Sequence, residues 1–505
     1  MRKTVLQAFL LVYLWCGFIS AENTLLSASA NAQADMLTPN DYTLLSANDY
    51  LELEKMLQEQ QLSPTDLNFE KDWDLSTLGK SQDVLHALQM PYYGLTLMQE
   101  IRAAANKATT DEDFAFLAAL LFTMATDNES VASVYGNAKE EYREEYKRTV
   151  KKPKDIFRFY KGALNGIVLS LAKGYGDYAD NLRGEYLSSL LAALIEEEDK
   201  AACTAYLNKW KITLPEETDS LEITEQMVKS QEADVLKVGL QFLALGDVLK
   251  EEAGNLKYNN KKPLIQECKL GTMVIGTPDD DVYSDKMLKS PLILLLEPAG
   301  NETYTITLAA NYTNFTYLLL DFNGDDSYLN ADFGGMFFAL SGLGISCDLA
   351  GNDTYRTGDF SFAAMTGMQI HRDFAGKDIY ESGFFSQGAA ICGLSILQDM
   401  QGNDLYSATC MAQGFGSIRS AGALLDYSGA DNYTLGGKYF HAPLMPNDYL
   451  TLGQGMGFGL RPDFAGGIGL LFDRNGNDRY LGGVYAQGVG YWYALGMLID
   501  EAGND

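Results

Sequence analysis

Twelve aspartates recur in pairs along the second half of the chain, five residues apart. They are Asp321 and Asp326, Asp348 and Asp353, Asp373 and Asp378, Asp399 and Asp404, Asp426 and Asp431, and Asp473 and Asp478. Paired carboxylates can move protons, cap a turn or hold a hard cation. The donor set here is oxygen only. That suits Ca2+, which takes about six to eight oxygen ligands, and disfavours zinc. These twelve residues are therefore the candidate metal ligands, with Ca2+ the candidate cofactor. A second reading is that each aspartate accepts N–H groups of its own turn, as in an Asx-turn, with water completing its shell. Both readings stand at this point. No residue is assigned a catalytic or organic-cofactor role.

The aspartates belong to an eight-residue pattern: Asp, two variable positions, Gly, a polar residue, Asp, one variable position, Tyr. Its copies are DFNGDDSY at Asp321, DLAGNDTY at Asp348, DFAGKDIY at Asp373, DMQGNDLY at Asp399, DYSGADNY at Asp426 and DRNGNDRY at Asp473. Two degenerate copies precede them, GTPDDDVY at Gly276 and EPAGNETY at Glu297. A last copy, DEAGND, opens at Asp500 and stops before its tyrosine, so the array is expected to continue past Asp505. The step is roughly 25 residues, except for 47 between Asp426 and Asp473. That step holds one unit plus an insertion, placed around Tyr439 to Pro462. Between the Asp turns lie Gln-Gly pairs at Gln387, Gln413, Gln454 and Gln487, and an aliphatic run leads into most of the next Asp positions.

A unit of this length, with two or three short strands, cannot bury its apolar side alone. Stacking such units buries it, with coils about 4.8 Å apart. The expected fold is therefore α+β and multidomain: an all-α N-terminal region followed by a parallel β-solenoid (β-helix). A calcium-binding β-propeller is the main rival, but a four-stranded blade needs about 40 residues. Stacking also places like carboxylates about 5 Å apart, at a cost of several tenths of a kcal/mol or more per pair even in a water-like medium. Something has to offset that.

The turns resemble the calcium-binding repeats of secreted RTX-type toxins. Gly351-Asn352-Asp353-Thr354-Tyr355 and Gly476-Asn477-Asp478-Arg479-Tyr480 match the core of that nonapeptide. The match departs in recurring once per coil and in lacking the Gly-Gly pair, so calcium roles carry over only weakly. The whole pattern, with VIGTPDDDVY at its start and AQG corners, is similar to uncharacterised exported bacterial repeat proteins. That resemblance implies export and architecture and no nameable activity.

The formal net charge of −30 makes nucleic acid an unsuitable partner, since a polyanion needs a basic footprint. From Gly271 onward there are 27 acidic and 10 basic residues. Arg2, Lys3 and the apolar stretch Val5 to Ile19, with Ala21 as a cleavage point, read as a signal peptide over residues 1–21. No later segment is long and apolar enough for a membrane span. Localisation is expected to be outside the cell, at its surface or in a periplasm. Residues 22–47 read as a linker, 48–270 as a helical domain and 271–505 as the solenoid. Thr110 is placed to cap a helix opening on Asp111, Glu112 and Asp113, and Pro153 opens another. Outside the signal, Cys203, Cys268, Cys347, Cys392 and Cys410 show no metal spacing and read as small buried residues.

One polar cluster, His371, Arg372, Asp373, Lys377 and Asp378, stands where sister coils carry mostly aliphatics. It is either a solvated irregular coil or an acid–base site of a polysaccharide-cleaving β-helix. The tyrosines form either a core ladder or a row for stacking on sugars. The functional expectation is an exported, non-enzymatic solenoid with a binding or structural role, calcium-stabilised, and a protein or glycan surface as its partner. The alternative is a polysaccharide-active β-helix lyase or hydrolase.

Overall fold

The structure, a computed structural model, describes residues 54–62, 77, 79–89, 91–126, 132–174, 204–205, 208–209, 233–311 and 313–505. The expected signal peptide and linker, Cys16 and Cys203 lie outside the described residues. Six helices are used here: α1 Gln82–Gln89, α2 Pro91–Lys107, α3 Asp111–Thr126, α4 Ala132–Thr149, α5 Pro153–Gly174 and α6 Ala233–Ala253. The Thr110 hydroxyl accepts the Asp113 N–H at 3.2 Å and caps α3, whose first turn carries three acids. No helix among the described residues is long and apolar enough to cross a membrane.

The second half is a parallel β-solenoid with three faces. Sheet A has ten strands, from Leu264–Cys268 to Leu495–Asp500. Sheet B has eight, from Val282–Ser284 to Arg479–Leu481. Sheet C has seven, from Leu308–Asn311 to Gly490–Tyr491. Each coil crosses from A to B at its Asp-Gly turn or the degenerate form of it, and four coils cross from B towards C at a Gln-Gly corner. The first strand of sheet A, Leu264–Cys268, pairs antiparallel with Gly271–Ile275 and covers the opening edge. It falls within the stretch read from sequence as helical.

Between its first and last strands, sheet A is buried along the whole length of each strand because both of its faces are covered. Leu318, Leu320, Ile345, Ile370 and Ile396 point outward into one core shared with the helices. Tyr317, Leu319, Leu397 and Leu424 point inward. This two-sided burial is why the strands read as aliphatic runs and not as alternating ones. The helices lie along the flank of sheet A over most of the array. The Tyr160 hydroxyl of α5 donates to the Ile293 carbonyl at 2.7 Å, and Arg102 of α2 pairs with Glu501. Gly239 in α6 permits this contact, since a Cβ there would stand 2.8 Å from Met368 Sδ. The first coils thus pack on chain N-terminal to them, with strand pairing along the opening edge and helices against the outer face of sheet A.

The long step holds two separate additions. Gln454 follows Asp426 by 28 residues where Gln413 follows Asp399 by 14. The extra length before Gln454 builds a hairpin of Phe440–His441 against Met445–Gly453. Residues 454–458 rejoin the coil through the Gln-Gly corner and the sheet C strand Met456–Phe458, so they are not inserted as expected. The remainder is a loop near residues 459–467.

Candidate metal centre

The turn glycines let successive coils touch. A Cβ on Gly351 would stand 1.6 Å from the Gly324 carbonyl oxygen, so no other residue fits. At the next corner Gln387, Gln413, Gln454 and Gln487 adopt φ of +50° to +66°. The Gln387 amide holds that conformation by donating to the carbonyls of Tyr380 and Ser407.

These constraints align two columns of carboxylates. The first is the last residue of each sheet A strand. Glu297, Asp321, Asp348, Asp373, Asp399, Asp426, Asp473 and Asp500 stand in direct register. Each takes a tyrosine hydroxyl from the preceding coil. Tyr328 donates to Asp348, Tyr355 to Asp373, Tyr380 to Asp399, Tyr406 to Asp426, Tyr433 to Asp473 and Tyr480 to Asp500, all at 2.7 to 2.8 Å. Tyr304 donates likewise to Asp321 and Tyr283 to Glu297. The tyrosine rings form a stack inside the solenoid, with centroids 4.5 to 5.3 Å apart. They are a core ladder. From Tyr304 to Tyr433 they have no exposed surface, which removes them as a platform for sugars.

The second column is Glu302, Asp326, Asp353, Asp378, Asp404, Asp431, Asp478 and Asp505. The backbone N–H of Asp326 donates to Asp353 Oδ1, that of Asp353 to Asp378, Asp378 to Asp404, Asp404 to Asp431 and Asp431 to Asp478, at 2.6 to 2.7 Å. These aspartates therefore cap the turn of the preceding coil and not their own. Own-turn Asx bonding holds only in the first column, as from Gln401 N–H to Asp399 Oδ1 at 3.1 Å. A third ladder runs outside. Asn352 N–H donates to Asp325 Oδ1, and Lys377 N–H to Asn352 Oδ1, each reaching back one coil. This explains the recurring polar residue between the motif's Gly and Asp.

One oxygen of each second-column aspartate is left over. Oδ2 of Asp326, Asp353, Asp378, Asp404, Asp431 and Asp478 is buried without a hydrogen-bond partner, as is Oδ1 of Asp348 and Asp473. The carboxylates that carry them cluster. Asp326, Asp348 and Asp353 bring ligand oxygens within 4.8 Å, and so do Asp353, Asp373 and Asp378, then Asp378, Asp399 and Asp404, then Asp404, Asp426 and Asp431. Glu302, Asp321 and Asp326 make the same triangle at the start. Each group spans two coils, and each second-column aspartate between them is shared. The structure thus gathers at least ten of the twelve predicted ligands into such groups, and Asp473 and Asp478 stand in the same columns. It adds Glu302 to the triangles and Glu297 to the first column; the degenerate motif at Glu297 carried that signal.

Burial raises these carboxyls, and the neighbouring carboxylates add to it. Asp353 is pushed up to about 11, Asp378 to about 8, Asp404 to about 7 and Asp431 to about 6. Asp348, Asp373, Asp399 and Asp426 are raised well above the carboxylate range for the same reasons. An ionised column in this setting needs positive charge from outside the chain.

The polar cluster at His371 separates. His371 points into the solenoid, with Nδ1 2.8 Å from Ser346 Oγ and burial lowering it to about 3. Arg372 points the other way, into the helices, where its Nη1 meets Asp111 at 2.7 Å and Asp247 at 3.5 Å. Its Nε donates to Gln398 at 2.7 Å. Asp373 and Asp378 join the columns, and Lys377 is exposed. Both residues of the His371–Arg372 pair are fully buried, so the expectation of a solvated coil is corrected. Strand alternation sends them to opposite faces, and no accessible acid–base pair forms. Sequence reasoning missed the partners Asp111 and Asp247, which no local spacing signals. Cys347, Cys392 and Cys410 are buried, as expected, and Cys268 is partly exposed.

No family model, curated protein or solved structure matches this chain significantly.

Proposed function

We propose that this chain is an exported, non-enzymatic β-solenoid with a structural or binding role, and that its carboxylate columns hold Ca2+ between successive coils. The supporting observation is a row of buried, unpartnered Oδ2 atoms on aspartates whose carboxylates gather within 4.8 Å of those of a neighbouring coil. Two carboxylates per coil match one divalent cation in charge. The turns' resemblance to RTX-type repeats points the same way. Enzymatic action on a polysaccharide would need an accessible acid and base, and His371 and Arg372 are inaccessible. A protein or glycan surface remains the partner class for the uncovered face of sheet B.

The test is thermal unfolding of the full chain in millimolar Ca2+ and in chelator. An ion bound only to the folded stack adds about 2.7 kcal/mol per site at a hundredfold excess over Kd. The Asp353→Asn and Asp378→Asn pair touches three of the triangles. It should remove a large part of the calcium-induced rise in Tm and leave the chelated protein unchanged or slightly more stable. Identical melting of the unmodified chain with and without calcium would end the calcium reading.

A further inference from the structure

The outer part of the hairpin, residues 440–449, stands outside the coil stack, and the neighbouring coils turn the same corner without it. It nevertheless concentrates apolar surface. Phe440, Leu444, Met445 and Tyr449 lie within ten residues and make up four of the fourteen large exposed apolar side chains among the described residues. Leu444, at the turn, is 63% exposed, and residues 443–449 are all exposed. From Tyr439 to Asn447 the sequence YFHAPLMPN carries no acid, lysine or arginine, in a chain of which 21% is charged, and the exposed Asp448 beside Tyr449 is the one charged residue of the hairpin.

The order along the hairpin is informative. Leu450 and Leu452 anchor its base in the core formed with Phe415, Met456 and Phe458. Further out, Phe440 and Tyr449 face each other across the strands, their rings 4.7 Å apart. At the extremity stand Pro443, Leu444, Met445 and Pro446. Aliphatic residues outermost with aromatics one row behind is the order of a bilayer interface, where aliphatics enter the acyl boundary and aromatic rings sit among headgroups. A glycan would ask for hydrogen-bonding side chains at the tip, and there are none on Pro443, Leu444, Met445 or Pro446. Charge narrows the lipid further. Recognition of an anionic membrane uses clustered lysine and arginine. This tip has neither, and the chain's net charge of −30 opposes such a surface.

We propose that the hairpin is a lipid-docking tip for a neutral, zwitterionic bilayer, seated by Leu444 and Met445 and bounded by Phe440 and Tyr449. This goes beyond the calcium reading and rests on none of its residues. The experiment is flotation of the full chain with phosphatidylcholine vesicles. The unmodified protein should float. The Leu444→Asp and Met445→Asp double variant should bind at least tenfold less with an unchanged melting temperature, because both side chains are exposed. Adding phosphatidylserine should weaken binding of the unmodified protein. A Leu444→Trp chain should show a vesicle-dependent blue shift of its added emission. Three results would overturn the proposal: no flotation of the unmodified chain, equal flotation of the double variant, or a lipid-free dimer of the unmodified chain that the double variant abolishes. The last would make a second copy the occupant.

Discussion

Asp353 is buried and Asp111 partly buried, both among other acids, and their surroundings drive them in opposite directions. Burial alone would raise Asp111, but Arg372 and Lys250 outweigh it and hold this carboxyl well below its usual range. Asp353 has only carboxylates and N–H groups beside it and is pushed up to about 11. At the helix–solenoid seam the chain supplies its own cations: Arg372 and Lys250 on Asp111 and Asp247, and Lys139 on Glu112 at 2.7 Å. In the turn columns, among the described residues, no lysine or arginine pairs with the twelve aspartates. A closed set of charges fixes one structure. An open set makes the structure depend on what the solvent delivers, whether protons or metal ions.

The largest test of this contrast is pH. In chelator, column carboxyls have folded pKa values raised above their unfolded ones. Their contribution is fully present below about pH 4 and is lost as pH climbs through values near 6 for Asp431, 7 for Asp404 and 8 for Asp378. A tenfold change in proton affinity on folding is worth about 1.4 kcal/mol, and several groups act together. Metal-free melting temperatures should therefore fall steadily between about pH 4 and 9, and calcium should flatten the slope. Asp111 acts with opposite sign, since its folded pKa is lowered; its contribution is present above the unfolded value and lost in acid. A metal-free profile that rises with pH would break the comparison.

Next in size is Arg372→Ala. It leaves Asp111 and Asp247 short of a buried partner, a loss of about 3–5 kcal/mol in denaturant unfolding. That loss should be the same in calcium and in chelator, because the seam closes its own charge. A calcium-dependent loss would mean that the two clusters are coupled. The smallest expected effect is that of Tyr380→Phe, which removes the hydroxyl donated to Asp399 at 2.8 Å. It should cost about 1–3 kcal/mol, more in calcium than at acid pH, where a protonated Asp399 can donate for itself. An equal cost under both conditions would show that the hydroxyl row does not sense column charge.

Much of this architecture was legible from residue spacing. The fixed interval from Asp to Gly to Asp to Tyr records a turn that every coil repeats, and the glycine records a carbonyl 1.6 Å from where its Cβ would be. Thr110 ahead of three acids recorded a helix start. The helices' position was not legible, because aliphatic strands buried on both faces read alike whatever covers them. Arg372 looked like a surface residue in an odd coil, since its partner Asp111 lies 261 positions away. The columns were read correctly as stacked carboxylates, but the donor to each second aspartate was not. Local reasoning offers an aspartate its own turn, whereas stacking offers the turn before it.

That last detail gives the array a direction in time. The inner ladder passes each N–H forward to a carboxylate of the following coil, and the outer ladder passes its N–H back to the coil already formed. As a chain is made or threaded through a pore N-terminus first, each new coil can dock at once by its backward bonds. Its inner aspartate N–H must wait for a successor. The growing end therefore always carries one unfinished turn, and each arrival completes its predecessor while leaving its own turn open. Assembly of this kind behaves as a zipper with a preferred direction, and the acid supplied by each new coil is what closes the tooth behind it.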